Sequence, residues 1–177
     1  LQIARRSSLA ELEFRGCMAI SPEGVRALAQ APQLRQLRLQ SCGFGNEHLA
    51  ALKELSQLTI LNLRDNSFDN EGLAELRALN RLRTLDISGN DEITVAGIVH
   101  LVTGLSELEQ ITFDQQVALV DGNQNSLTFM LHELEQAFKR PPTIELIGRG
   151  ANRLIISAPY PSDADLAEQL RPLALQP

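Results

Sequence analysis

The chain has 177 residues, 44% of them hydrophobic, with 16 Lys and Arg against 22 Asp and Glu. This length suits one domain with a real hydrophobic core, and the composition excludes an intrinsically disordered chain. A net charge of −6 argues against a non-specific nucleic-acid binder, since such proteins neutralise phosphates with an excess of Lys and Arg. No apolar run approaches the ~20 residues of a membrane span, and two cysteines do not make a disulfide framework.

The first eight residues, LQIARRSS, are interpreted as the end of an upstream repeat or cap. Ile3 precedes Leu9 by six residues, as Leu52 precedes Leu58 within the pattern described next. Because the bare end of a repeat array would expose its core leucines, we expect further chain upstream of Leu1 in the parent protein.

From Leu9 onward the sequence repeats itself with spacings of 25, 24, 24 and 26 residues. Each copy opens with apolar residues in the order L-x-x-L-x-L, and the copies begin at Leu9, Leu34, Leu58, Leu82 and Leu108. At the ninth position stand Cys17, Cys42, Asn66, Asn90 and, in the degraded last copy, Gln116. A helical pattern of Gly-apolar-x-x-Leu follows in the first, third and fourth copies, and the second copy has His48 in place of the glycine.

This unit resembles the leucine-rich repeat, and its Cys or Asn at the ninth position is most similar to the cysteine-containing and ribonuclease-inhibitor-like classes. The resemblance covers residues 9–116, as four full repeats and one partial repeat. It implies an α/β solenoid with parallel strands on the concave side and helices on the convex side.

The phrases PEGVRALA and NEGLAELRAL also resemble the GALA repeats of plant-pathogen type III effectors. That resemblance implies a bacterial effector that is secreted into a host cell and recognises substrates for host ubiquitin-ligase machinery. Such effectors act through an upstream F-box, and these 177 residues contain no F-box-like segment.

The period breaks after residue 113, and residues 117–177 are predicted to form an α/β C-terminal cap of a helix, a hairpin and a short helix. Asn125 or Ser126 can cap the first helix, and Asp121-Gly122-Asn123 before it is a turn signal. Segments 143–147 and 153–157 are predicted strands joined through residues 148–152. Ser162 or Asp163 can cap the last helix.

The two cysteines have two interpretations. Cys17 and Cys42 could be a redox pair or metal ligands. Their repeat position, however, is that of Asn66 and Asn90, which favours a structural ladder that bonds the loop backbone as the chain leaves each strand. We therefore predict free thiols, no metal and no cofactor, and a reducing compartment, either the cytoplasm or the interior of a host cell.

No pattern in the chain indicates catalysis. Gly148-Arg149-Gly150 is followed by a predicted strand, whereas a phosphate-binding loop precedes a helix. His48, His100 and His132 have no ligand partners at helical spacing. We predict that the chain has no catalytic residues. The alternative left open is the substrate-reading domain of an enzyme whose active site lies in the 117–177 tail or in missing chain.

Strand alternation places the residues between the leucines on the concave face. Arg38, Arg64 and the apolar Ile60 form the predicted binding centre, because Arg and apolar anchors concentrate in interface cores. Asn62 and Asp86 complete the predicted site. A solvated face with cross-strand pairs, such as Glu13 with Arg38, is the alternative. The predicted function is a non-enzymatic scaffold that binds a protein or peptide on this face, and binds neither nucleic acid nor membrane.

Overall fold

The structure is a computed structural model that describes residues 8–114, 125–147, 153–162, 165–166 and 168–169. The interpretations of residues 1–7, of Gln116, of the Asp121-Gly122-Asn123 turn and of the 148–152 loop lie outside these ranges. Each of the five copies contributes one strand: β1 (Glu11–Arg15), β2 (Gln36–Gln40), β3 (Ile60–Asn62), β4 (Thr84–Asp86) and β5 (Gln110–Asp114).

The first four copies also contribute one helix each, and these helices form a second layer across the core from the sheet. These are α1 (Pro22–Arg26), α2 (Asn46–Leu52), α3 (Asn70–Glu75) and α4 (Val95–Val102). Short 3-10 turns, Ala27–Gln30 and Leu76–Ala78, extend α1 and α3. The later part of the chain adds α5 (Asn125–Ala137), β6 (Thr143–Ile147) and β7 (Arg153–Ile156).

All seven described strands form one sheet in chain order. Strands β1 to β6 are parallel to one another, and only β7 pairs antiparallel, with β6. The predicted α/β solenoid with parallel strands is therefore confirmed. The sequence did not predict that β6 continues the parallel sheet from β5, since the tail was expected to cover the last repeat rather than to extend its sheet.

The core lies between the sheet and the helix layer. One leucine from each of the strands β2, β3 and β4 is fully buried, and these three leucines stand in register with one another: Leu37, Leu61 and Leu85. Helix residues such as Leu49 and Leu73 close the core from the other layer. Burying a side chain of this size contributes about 1.5–3 kcal/mol, so the repeated leucines supply the main drive for the coil.

Three of the four repeat helices follow a residue whose side chain accepts a hydrogen bond from a free backbone N–H of the first turn. Ser21, Asp69 and Thr94 accept hydrogen bonds from the backbone N–H three residues later. The second copy has Gly45 at this place and no cap oxygen. There His48 Nδ1 accepts a hydrogen bond from the Gly45 N–H at 3.2 Å, so the departure from the glycine pattern supplies a different cap contact.

The convex side holds an asparagine ladder that sequence reasoning missed. Asn46 Oδ1 accepts from the Asp69 N–H at 3.1 Å, and its Nδ2 donates to Asp69 Oδ1 at 2.8 Å. Asn70 makes the same two contacts to Thr94, at 3.0 and 2.9 Å. The first residue of one helix thus binds the capping residue of the next, which fixes the spacing of adjacent helices.

This ladder explains the glycine of the helical pattern. A Cβ atom on Gly97 would overlap the Asn70 side chain, and one on Gly72 would overlap Asn46. The second copy tolerates His48 because the preceding helix begins with Pro22, which has no side-chain amide to reach across. The His48 Nε2 atom lies 3.1 Å from the Ile20 carbonyl oxygen instead.

Gly97→Ala is expected to lower the free energy of unfolding by about 1–2 kcal/mol, because the added methyl group crowds the Asn70 amide. In an Asn70→Ala background the same change should be neutral or stabilising, since alanine favours a helix over glycine by about 1 kcal/mol. A double-mutant cycle by urea denaturation measures this coupling. Equal losses in both backgrounds would contradict it.

The C-terminal part of the chain packs against the repeats through α5. Leu127, Met130 and Leu134 of this helix are buried in the same hydrophobic core as the repeat leucines. Beyond β7, the Tyr160 hydroxyl donates to the Pro142 carbonyl at 2.6 Å and ties the chain back to the start of β6. The predicted last helix lies partly outside the described residues, and within them Ser162 Oγ accepts from the Asp165 N–H at 3.4 Å. No helix in the described ranges has the length and apolar character to cross a membrane.

Candidate functional site

The concave face carries rows of side chains that cross the strands. The central row runs in register through Glu13, Arg38, Asn62, Asp86, Thr112 and Glu145. Three of the five predicted partner-binding residues, Arg38, Asn62 and Asp86, are therefore direct neighbours. Ile60 lies in the adjacent row between Gln36 and Thr84. Arg64 follows the end of β3.

Arg38 is held by two neighbours on its own face. Its guanidinium forms an ion pair with Glu11 and donates to Gln36 Oε1 at 3.2 Å. The alternative of a solvated face named a pair between Glu13 and Arg38. Glu13 does stand opposite Arg38 in the register, but the guanidinium turns along the strand direction and pairs with Glu11 instead. One third of the Arg38 side chain remains exposed and can still contact a partner.

Asn62 and Asp86 tie the ends of the two shortest strands together. Asn62 Nδ2 donates to Asp86 Oδ2 at 2.9 Å, and Asn62 Oδ1 accepts from the Arg64 N–H at 3.0 Å. Asp86 Oδ1 accepts from both the N–H and the hydroxyl of Ser88, at 3.0 and 2.7 Å. Both side chains therefore shape the face as well as line it.

Arg64 sits among acids where the strands end. Its Nε lies 3.3 Å from Asp65 Oδ2, and 37% of its side chain is exposed. Burial raises the pKa of Asp114, the negative charges of Asp91 and Asp86 act in the same direction, and the positive charge of Arg64 opposes them. This corner of the face is thus acidic, with one exposed arginine in it.

Sequence reasoning missed Glu145, the last carboxylate of the central row. It is 8% exposed; its Oε2 accepts from the Thr112 hydroxyl at 3.0 Å, and its Oε1 pairs with Arg153 at 2.8 Å. Alternation within the predicted strand 143–147 marks Glu145 as the outward residue, but only the pairing of β6 with β5 places it beside Thr112.

The ninth-position residues share one contact. Each side chain donates to the carbonyl two residues earlier: Cys17 to Arg15, Cys42 to Gln40, Asn66 to Arg64 and Asn90 to Ser88. Asn66 does most. Its Oδ1 accepts the N–H groups of Cys42 and Phe44 at 3.1 and 3.0 Å, and its Nδ2 also reaches the carbonyls of Leu39 and Leu63, both at 2.8 Å.

The cysteines show the chemistry of buried or half-buried thiols. Both are free, and burial raises the pKa of Cys42, which keeps it in the neutral thiol form rather than the reactive thiolate. Within the described ranges, no group of three or more His, Cys, Asp or Glu side chains is placed to hold a metal ion.

Comparison with known proteins bears on the repeats. The leucine-rich-repeat family model matches residues 55–76 and 79–102. The tropomodulin C-terminal domain of Caenorhabditis elegans is similar in structure, with a TM-score of 0.58 and 15% identity, over 77% of this chain and 89% of that one. An internalin from Listeria monocytogenes aligns with a TM-score of 0.47 and 18% identity, over 64% of this chain and 36% of the internalin.

No curated protein sequence gives a significant match. The family-model match falls on two consecutive repeats in the middle of the solenoid, and the five-strand parallel register extends the same unit to both sides of them. Residues 55–76 and 79–102 are thus leucine-rich repeats, and they lie within an α/β solenoid of parallel strands and helices.

Proposed function

We propose that this chain is a non-enzymatic scaffold that binds a protein or peptide partner on its concave strand face. The observation that carries the proposal is the order of side-chain types across three adjacent strands. β2 presents the cation Arg38, β3 presents the half-buried apolar Ile60, and β4 presents the acid Asp86. Arginine and apolar side chains provide most of the energy at interface centres, and charges around them select the partner.

The face is ordered before any partner arrives. Glu11 and Gln36 hold Arg38, while Asp86 and the Arg64 backbone hold Asn62. Immobilising a long side chain on binding costs about 0.5–1.5 kcal/mol, and side chains that are already fixed avoid much of that cost. This preorganisation supports a binding role for the face.

The charge pattern indicates what the partner carries. An extended segment that crosses the strands would set a carboxylate near Arg38, an apolar side chain over Ile60 and a basic group near Asp86 and Asp114. Asp114, which is half-buried and also close to the negative charges of Asp91 and Asp86, would then gain a counter-charge in addition to that of Arg64. The resemblance to GALA repeats supports a narrower hypothesis, in which the partner is a host protein presented to ubiquitin-ligase machinery by a bacterial effector.

Panning a displayed peptide library on the immobilised chain tests the proposal. We expect enrichment of peptides with an acid, an apolar residue and a base in that order. Arg38→Glu/Arg64→Glu should weaken binding of the selected peptides at least about tenfold, since each charge reversal turns an attraction into a repulsion. The melting temperature should stay nearly unchanged, because these exposed ion pairs contribute at most about 1 kcal/mol each.

Arg81→Glu/Arg140→Glu is the matched control, with the same charge change at two exposed positions off the binding face. Undiminished binding by the Arg38/Arg64 variant, or an equal loss in the control, would contradict the concave site. In the alternative, a substrate-reading domain of an enzyme, the substrate would bind on the same face. The same variants therefore also test substrate binding.

A further inference from the structure

A cleft of about 610 Å³ lies where α5 ends and β6 begins. Its walls come from the end of α5, the connection to β6 and the chain that follows β7. Every lining residue lies within the described ranges 125–147 and 153–162, and none belongs to the proposed concave site. The volume falls within the roughly 300–1,000 Å³ of pockets that hold small molecules.

Two cations at this cleft have no charge partner in the described part of the chain. Lys139 and Arg140 line the cleft, and no ion pair among the described residues includes either of them. Glu135 is the only carboxylate among the lining residues, all of which are described, and its Oε1 already accepts from the Tyr160 N–H at 3.1 Å. The lining therefore carries a net positive charge in a chain whose net charge is −6.

Two hydroxyl groups line the same cleft. Thr143 Oγ1, at the start of β6, and Ser157 Oγ, just after β7, lie 3.5 Å apart. A contact of this length is weak, so both hydroxyls remain able to donate to a ligand. Lysine and arginine side chains can only donate. Apart from Glu135, the polar side chains of the cleft can thus all donate, which suits an anion with several oxygens.

Tyr160 holds the walls of the cleft together. Its hydroxyl donates to the Pro142 carbonyl at 2.6 Å, and its N–H donates to Glu135 of α5. The chain after β7 is thereby tied both to the start of β6 and to α5. Burial raises the pKa of the Tyr160 hydroxyl, and the charge of Glu135 acts in the same direction, so the phenol remains a donor at neutral pH. Walls that are already ordered lower the entropy cost of binding a ligand.

The rest of the lining is apolar. Phe138 is half-buried, and Pro141, Ala158 and Pro159 also line the cleft. An inorganic anion would leave this surface in contact with water, whereas an anion that carries a ring or a short apolar chain would cover it. A phosphate monoester carries a charge of about −1.5 to −2 at neutral pH, which the two cations match.

We propose that this cleft is a binding site for a small phosphate monoester with an apolar or aromatic group. Lys139 and Arg140 bind the phosphate, the hydroxyls of Thr143 and Ser157 donate to its oxygens, and Phe138 contacts the apolar group. The site shares no residue with the proposed concave site, so either proposal can fail without the other.

NMR titration of the full chain with phenyl phosphate, in a buffer without phosphate, tests the site. We expect saturable shifts of the backbone amides that surround the cleft. Inorganic phosphate lacks the apolar group and benzoate carries a single negative charge, so both should bind at least about tenfold more weakly. Shifts that are absent or centred elsewhere would overturn the proposal, as would phenyl phosphate binding no more tightly than the two comparison compounds.

Lys139→Gln/Arg140→Gln removes both charges and should weaken phenyl phosphate binding at least about tenfold. Thr143→Val keeps the shape of a strand residue but removes the hydroxyl, and should weaken binding about fivefold. Lys53→Gln/Arg81→Gln is the matched control, with the same charge loss at exposed positions of earlier repeats, and should bind as the native chain does. The amide spectrum of each variant reports whether it is folded. Unchanged binding by the folded double variant, or an equal loss in the control, would overturn the site.

Discussion

Asn66→Ala is expected to lower the free energy of unfolding by about 3–5 kcal/mol, measured by urea or guanidinium denaturation. The side chain is 8% exposed and serves both sides of one loop. Its loss leaves the N–H groups of Cys42 and Phe44 without their acceptor. It also removes the amide donor from the Leu39 carbonyl and one of the two amide donors from the Leu63 carbonyl, which keeps Asn90 Nδ2. Each buried group left unpaired costs about 1–3 kcal/mol.

Asn80→Ala is the matched control, because it removes the same atoms from an exposed position. It should change the stability by no more than about 0.5 kcal/mol. Asn66→Cys should fall between the two, since a thiol can donate to a carbonyl, as Cys42 does, but accepts from backbone N–H groups only weakly. If Asn66→Ala were as mild as Asn80→Ala, the loop contacts would not be stabilising the coil.

Leu61→Ala is expected to cost about 2–5 kcal/mol, the loss of transfer free energy plus the cavity left behind. Leu61 is fully buried at the centre of β3, with Leu37 and Leu85 in register on either side. For a chain of this length, each kcal/mol shifts the melting temperature by roughly 2–4 °C, so calorimetry resolves the effect. Leu154→Ala on the half-buried edge strand β7 should cost clearly less. Equal costs would contradict the packing described.

The repeated part of the fold could be predicted because one pattern fixes several features together. The leucine spacing marks which side chains of each strand face inward. The equal length of the copies places Leu61 opposite Leu37 and Leu85, so the parallel register follows from the sequence. The alignment of Arg38, Asn62 and Asp86 in one row is a consequence of the same register.

Features that depend on unique packing could not be predicted in the same way. The segment around Glu145 occurs once, so no period indicated that β6 would join β5. The choice of Glu11 over Glu13 by Arg38 depends on the rotamer of a long side chain, which register does not set. The asparagine ladder is different, because the sequence does contain a pattern that indicates it. Asn46 and Asn70 are each matched in the next repeat by a glycine, Gly72 or Gly97, that leaves room for the amide.

The 24-residue offset that relates β2, β3 and β4 makes the middle of the chain modular. An engineered protein in which residues 58–81 occur twice would meet familiar neighbours at both new junctions. Asn70 would find a following Asp69 and Gly72, and Asn66 would find another turn to bond. Each inserted unit would widen the inner wall by about 4.8 Å. The reach of this coil can therefore be adjusted in steps of one strand.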